Sequence, residues 1–366
     1  MRYDVWVEVD LGALKHNLAQ VHGAVGAGVR VMAVVKGNGY GHGYVEPSRA
    51  FVEAGADALA VTRLDEAIPL RQAGIDAPIL LFAPIQPENA EIAIEAGLDV
   101  TVCSLTLAQS LSESASRMGK AARVWVKVDT GMGRLGVLPN EALTLLESIS
   151  KLPAVQIVGT YTHFSRACEP DLSHTREQLR RFQDVLASVE AAGIDYGLAS
   201  SANSSAILRL PDSHLDIVRP GTLLYGQYSS EHVPHSLDLR PTWKLKARIC
   251  EVRDLPKGSA IGYGAEYVTT RPTRTAIVPV GFAEGYLMVP EGPVYRQSVL
   301  KFAAGKARRQ PSMEVNGVKA PVLGRVAMQM TVLDVTGIQG VEVGSEVTIP
   351  AMRIPTSPLI PRVYVA

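Results

Sequence analysis

The chain has 366 residues, more than one hydrophobic core usually serves, so two domains are expected. Thirty-six basic side chains balance thirty-six acidic ones, which removes the net field that would draw in nucleic acid or an anionic membrane and favours a small, locally bound substrate. Cys103, Cys168 and Cys250 are odd in number and widely spaced, so neither a disulfide framework nor a paired-cysteine metal site is suggested, and the compartment reads as reducing. Residues 1–10 lack a basic region followed by an apolar core, and no run approaches the roughly 18 apolar residues of a membrane span. A soluble cytoplasmic protein is expected.

From Val9 to about Tyr228, short β-branched runs alternate with longer helical patterns. The runs fall at 29–35, 58–61, 79–82, 100–102, 124–128, 155–161, 196–199 and 216–218. Helical spacing fills 46–53, 64–73, 87–96 and 175–192, with glycine at or near the close, as at Gly55, Gly74, Gly97 and Gly193. Eight strand candidates over roughly 200 residues match the size of a closed (β/α)8 barrel, with an open doubly wound sheet as the competitor. After the histidine- and proline-rich loop 232–241 the texture changes to short extended runs at 245–252, 275–280, 319–322, 331–335 and 346–349. The expected fold is therefore an α/β chain: a (β/α)8 TIM-type barrel over residues 1–237, followed by a smaller, mainly β C-terminal domain over 238–366. The basic stretch Gly305 to Gln310 reads as solvated surface.

Chemistry in such a barrel gathers at the carboxyl ends of strands. There the apolar run Val31-Met32-Ala33-Val34-Val35 leads into Lys36-Gly37-Asn38-Gly39-Tyr40-Gly41-His42-Gly43. A lysine closing an apolar strand is partly desolvated, which disfavours its ammonium form and makes it a candidate imine-forming amine. The glycines permit positive φ angles and close approach to a ligand. A lone lysine at a strand end more often points into water, so the whole string has to be weighed.

That string closely resembles the signature of the alanine racemase family, pyridoxal-phosphate enzymes of fold type III, and the likeness runs over nearly the whole chain. Gly37 stands where the family usually has alanine. Further segments match in order: Lys127-Val128-Asp129-Thr130-Gly131-Met132-Gly133-Arg134, Thr162-His163-Phe164, Ala202-Asn203-Ser204, and Val218-Arg219-Pro220-Gly221-Thr222. Each follows an expected barrel strand.

The resemblance implies pyridoxal 5'-phosphate as cofactor, held by Lys36. It implies that Arg134 meets the phenolic oxygen and also helps bind substrate, and that Arg219 faces the pyridine nitrogen. Guanidinium keeps its proton, so that nitrogen would stay unprotonated and side reactions such as transamination would be suppressed. Asn203, Ser204, Gly221, Thr222 and Tyr40 resemble the phosphate cradle, although Ser204 alone could equally cap a helix. His163 resembles the imidazole that links Arg219 to the catalytic tyrosine, and Lys127 matches a lysine carbamylated in some members.

Ile261-Gly262-Tyr263-Gly264-Ala265 resembles the segment bearing the second base. Racemisation removes a proton on one face of Cα and returns it on the other, so a lysine and a tyrosine on opposite faces suffice. In the family that tyrosine enters from a partner subunit, which implies a homodimer with its active sites at the interface. Met328 matches the methionine whose amide meets the substrate carboxylate.

The match weakens in the β-rich part. Phe282, Glu284, Leu287 and Met288 replace the family's usual tyrosine, aspartate, proline and arginine, and Gln329 replaces an aspartate. The segment 349–355 runs almost directly into 360–364, without the Tyr-Glu pair that usually precedes the closing strand. A wider or differently gated entrance is expected, and with it turnover of serine or larger amino acids.

Racemisation of alanine, supplying D-alanine for a cell wall, is the leading expectation, and a racemase of serine or another amino acid in a specialised pathway is the second. A decarboxylase of the same barrel class would pair the ring nitrogen with a carboxylate, against Arg219. A single-barrel carrier of the cofactor would have no use for residues 238–366.

Overall fold

A computed structural model of the chain describes residues 3–288 and 310–366. Apart from Gln310, the basic stretch read as solvated surface lies outside the described residues. Two compact units are present, Leu11–Thr242 and a second that joins Trp243–Ala366 to the first ten residues. The chain opens with strand β1 (Val5–Asp10), whose partners come from the far end of the sequence, and continues into helix α1 (Leu11–Val25).

Eight parallel strands build the first unit: β2 (Arg30–Val34), β3 (Ala58–Val61), β4 (Ile79–Leu81), β5 (Asp99–Val102), β6 (Ala122–Lys127), β7 (Val155–Tyr161), β8 (Leu198–Ser200) and β9 (Ile217–Val218). They pair in sequence from β2 to β8, and β9 returns to lie beside β2. The remaining seam, between β8 and β9, is bridged by Asp216, whose amide donates to the Ala199 carbonyl at 3.1 Å and whose carboxylate accepts from the Ala199 amide at 2.7 Å. The barrel is thus nearly closed, and the open doubly wound sheet is excluded. Met32, Val34, Ala60, Leu80, Trp125, Tyr161 and Ile217 pack as one cluster. Burying both faces of such strands explains why they read as unbroken apolar runs.

Between the strands lie α2 (Val45–Glu53), α3 (Leu64–Gln72), α4 (Ala90–Glu95), α5 (Leu105–Met118), α6 (Pro139–Ser150), α7 (Ser173–Ala191) and α8 (Ser204–Arg209). The expected helix over 87–96 divides: Pro87–Asn89 forms a 3₁₀ turn and only the remainder is α4. Proline fixes φ and offers no amide proton, which suits it to such an opening turn.

The second unit holds β10 (Trp243–Arg248), β11 (Glu251–Leu255), β12 (Ala260–Ile261), β13 (Tyr267–Val268), β14 (Thr273–Val278), β15 (Ser312–Val315), β16 (Val318–Pro321), β17 (Thr331–Asp334), β18 (Glu346–Ile349) and β19 (Arg362–Val365). One sheet runs in the order β16-β15-β18-β10-β1-β19, a second as β11-β14-β17, and β12 pairs with β13. The single run expected over 245–252 is two strands in different sheets. At the break, Ile249 donates to the Ser345 carbonyl and the next residue, Cys250, to that of Ile277. The opening residues, grouped with the barrel in the sequence reading, instead supply β1. That strand pairs antiparallel with β10 and parallel with β19, with Val7 and Val9 fully buried.

Candidate active site

Directly after β2 the backbone takes an uncommon course. Gly37, Asn38, Gly39 and Tyr40 have φ of 63°, 56°, 57° and 53°, so Lys36 opens a left-handed turn. L-residues pay a steric cost there, which glycine avoids and asparagine tolerates. Tyr40 has no such excuse, and such strain persists only where surrounding structure fixes it. The fixing is visible. The ring of Tyr40 stacks on Tyr225 at 4.7 Å, and His42 Nδ1 bonds the Gly39 carbonyl at 2.9 Å while its Nε2 meets Thr242 Oγ1 at 2.8 Å.

Lys36 lines a cavity of about 440 Å³ within the barrel unit. Around it stand Tyr40, Lys127, Arg134, His163, Asn203, Ser204, Arg219, Gly221 and Thr222, all of them also singled out from the sequence. Burial, and then the positive field of Arg134, lower the Lys36 amine below its ordinary range. Arg219 is 3 % exposed; it donates to the Thr162 and Ser201 carbonyls at 2.6 and 3.3 Å and to Ser200 Oγ. Burial draws it down to about 10, still protonated at neutral pH. The same burial, with Arg219 and Lys127 nearby, holds His163 well below its usual range, so that imidazole is neutral. Among the described residues its ring forms no hydrogen bond with Arg219.

Ser204 is not a cap. Asn203 caps α8, its side-chain oxygen accepting from the Ser205 and Ala206 amides at 3.1 Å, and this leaves Ser204 Oγ to accept from the Gly221 amide at 2.8 Å. A side chain on Gly221 would place its Cβ 2.5 Å from the Tyr40 hydroxyl, so only glycine lets that phenol approach.

Two further carboxylates organise the site, and the sequence reading missed both. Asp129 accepts from the amides of Gly131, Met132, Gly133 and Arg134, folding the glycine-rich turn that presents Arg134. Burial opposes its ionisation, but the four amides hold its carboxyl below the usual range. An acidic residue before two alternating glycines is the available signal for such a turn. Glu66, in the first turn of α3, reaches back to the amide of Gly37 at 2.8 Å. Its acidic place near a helix start carried no hint of that contact.

Tyr263 and Met328 lie on the second unit, not in the lining of this cavity, and are 73 % and 61 % exposed. Gln329 donates to Glu284 at 2.9 Å, and Glu284 in turn accepts from the Gly281 amide, so the two departures in sequence form one pair.

The family model described as alanine racemase, N-terminal domain, matches residues 9–229, and that described as alanine racemase, C-terminal domain, matches 242–357. The chain belongs to the alanine racemase family. An alanine racemase of Desulforamulus reducens is 41 % identical over 353 residues, covering 95 % of this chain and 90 % of the relative. One from Methanococcus maripaludis is 37 % identical over 349 residues, covering 95 % and 89 %. Among solved structures, the alanine racemase of Clostridium difficile superposes with a TM-score of 0.91 at 30 % identity, covering all of this chain and 96 % of that one. The alanine racemase of D-cycloserine-producing Streptomyces lavendulae gives 0.86 at 32 % identity, covering 100 % and 98 %. The family is dependent on pyridoxal phosphate and its members are isomerases. A carrier without the second domain is thereby set aside.

Proposed function

We propose that the chain interconverts L- and D-alanine by two-base proton transfer, with Lys36 and Tyr263 as the bases and pyridoxal phosphate as cofactor. The observation that carries this reading is the amine of Lys36, set at the end of a barrel strand by the left-handed turn and lowered by burial, in a pocket ringed with cationic and hydroxyl donors. The residues fit the cofactor: Ser204, Thr222, Tyr40 and the glycine at 221 would hold its phosphate, Arg134 its phenolic oxygen, Arg219 its ring nitrogen and Lys36 its aldehyde carbon. Bound there, it would acidify the Cα proton of an attached amino acid.

The chain's own groups account for the rest. The lowered amine of Lys36 exchanges a proton with Cα on one face. Arg219, protonated and held by the Thr162 and Ser201 carbonyls and Ser200 Oγ, does not give up a proton to its neighbour. The neutral His163 adds no charge beside it. Met328 would offer its amide to the substrate carboxylate. Tyr263, exposed on its own chain, would serve the cavity of a second copy, and the exposed Phe282, Leu287, Met288 and Met330 of the same unit fit a surface that a second copy covers. The free thiols of Cys103, Cys168 and Cys250 fit a cytoplasmic setting, with D-alanine delivered to wall synthesis.

Incubating the full-length protein with either alanine enantiomer in heavy water should yield both, deuterated at Cα. Tyr263→Phe should lose about a hundredfold or more in rate and keep exchange mainly from one enantiomer. No deuterium uptake from alanine in the wild type, or equal exchange in the variant, overturns the reading.

A further inference from the structure

Glu66 is 2 % exposed, and both its oxygens are engaged. Oε2 accepts from the Thr62 and Arg63 amides at 2.7 and 3.1 Å, closing the first turn of α3 on itself. Oε1 points the other way, to the Gly37 amide at 2.8 Å and the Tyr44 hydroxyl at 3.2 Å. One carboxylate therefore grips the left-handed turn just after Lys36 and the residue that begins the climb into α2. It fastens both to the β3–α3 junction, where Thr62 lines the same cavity as Lys36.

We propose that Glu66 is the positioning residue of the Lys36 segment, holding the strained turn in place and supplying the negative charge beside its amine. This rests on the reading that Lys36 is the cofactor lysine. The charged groups facing the Lys36 amine are Arg134, Arg219 and Glu66, two cations and one anion, each on a different loop or helix. Around Glu66 stand Lys36, Arg63 and Tyr44. Of these neighbours Glu66 alone favours the protonated amine, so it sets how far the burial and the two guanidiniums lower it.

A glutamine at this position is the informative change, because it keeps the shape and removes the charge. Its amide nitrogen must face either the Gly37 and Tyr44 donors or the Thr62 and Arg63 donors, so one side of the grip is lost.

The test compares the full-length wild type, Glu66→Gln, Glu66→Asp and Tyr44→Phe. In cofactor-free protein, the pH dependence of Lys36 modification by a small aldehyde with borohydride, located by peptide mass spectrometry, reports the amine's titration. Added pyridoxal phosphate, followed by absorbance, reports retention. Glu66→Gln should shift the modification midpoint to lower pH and weaken retention about tenfold or more, with kcat falling more than KM rises. Tyr44→Phe should weaken retention less and leave the midpoint in place, and Glu66→Asp should restore the midpoint. An unmoved midpoint with unmoved retention in Glu66→Gln overturns the proposal. If Glu66→Gln does not fold, Tyr44→Phe and Glu66→Asp decide: wild-type retention in both overturns it. Should the wild type bind cofactor elsewhere than Lys36, the functional reading fails, while the midpoint still judges the charge of Glu66.

Discussion

The surroundings of Lys127 disfavour its charge on balance. It is 3 % exposed, lies over the ring of Tyr161 at 4.6 Å and has Arg219 and Arg134 as neighbours. Burial first, and those guanidiniums second, lower its amine to about 7. Between about 7 and the ordinary 10.5 the unfolded chain holds the proton and the native chain does not. Stability should therefore rise with pH across that window, by up to about 1.4 kcal/mol per pH unit, and lose this dependence below it. A Lys127→Met variant lacks the titrating group, so its urea midpoint should climb less between neutral and alkaline pH. Parallel curves for the two proteins would refute the argument. At this scale the sequence was most legible where chemistry is contiguous. Lys36 with its glycines, and Arg219 with Gly221 and Thr222, each occupy one short string. Glu66 and Asp129 were not legible, because their partners are backbone amides, and every residue but proline carries one.

Helix α8 has six residues, too few to be stable without help, and Asn203 provides part of that help. Its side chain closes the first turn and so fixes where Ser204 Oγ meets the Gly221 amide. Asn203→Ala should cost about 1 kcal/mol in denaturant unfolding and weaken cofactor retention, whereas Asn203→Asp should preserve stability. Equal retention in Asn203→Ala and wild type would separate the cap from the site. The strand pattern was read well at this scale because barrel strands, buried on both faces, announce themselves as apolar runs. Irregular elements were not. The left-handed turn of Gly37 to Tyr40 follows no periodicity, and the change of sheet at Ile249 depends on Ser345 and Ile277, remote in sequence.

The chain folds as two units whose membership does not follow sequence order. β1 sits between β10 and β19, so an ionised side chain at Val7 would break the second unit's sheet rather than the barrel. In a Val7→Asp variant, amide exchange should lose protection in β10 and β19 while β2 to β7 keep theirs. Loss in the barrel strands first would contradict the division. Length suggested two domains and the change of texture after residue 241 located the second. The contribution of the opening strand was hidden, because a single short β-branched run gives no sign of whom it pairs with.

That placement of β1 has a consequence in time. A chain made from its amino end produces β1 before the barrel and β10 and β19 after it, with all of Leu11–Thr242 between. The barrel's pairings are between neighbours in sequence for all but one seam, so they can form as the ribosome delivers each strand. β1 cannot. Until β10 emerges behind the barrel it waits unpaired, the kind of segment that adheres to other chains and that chaperones cover. Its second partner, β19, arrives later still, so the second unit's sheet is completed only after every strand of the barrel has been made.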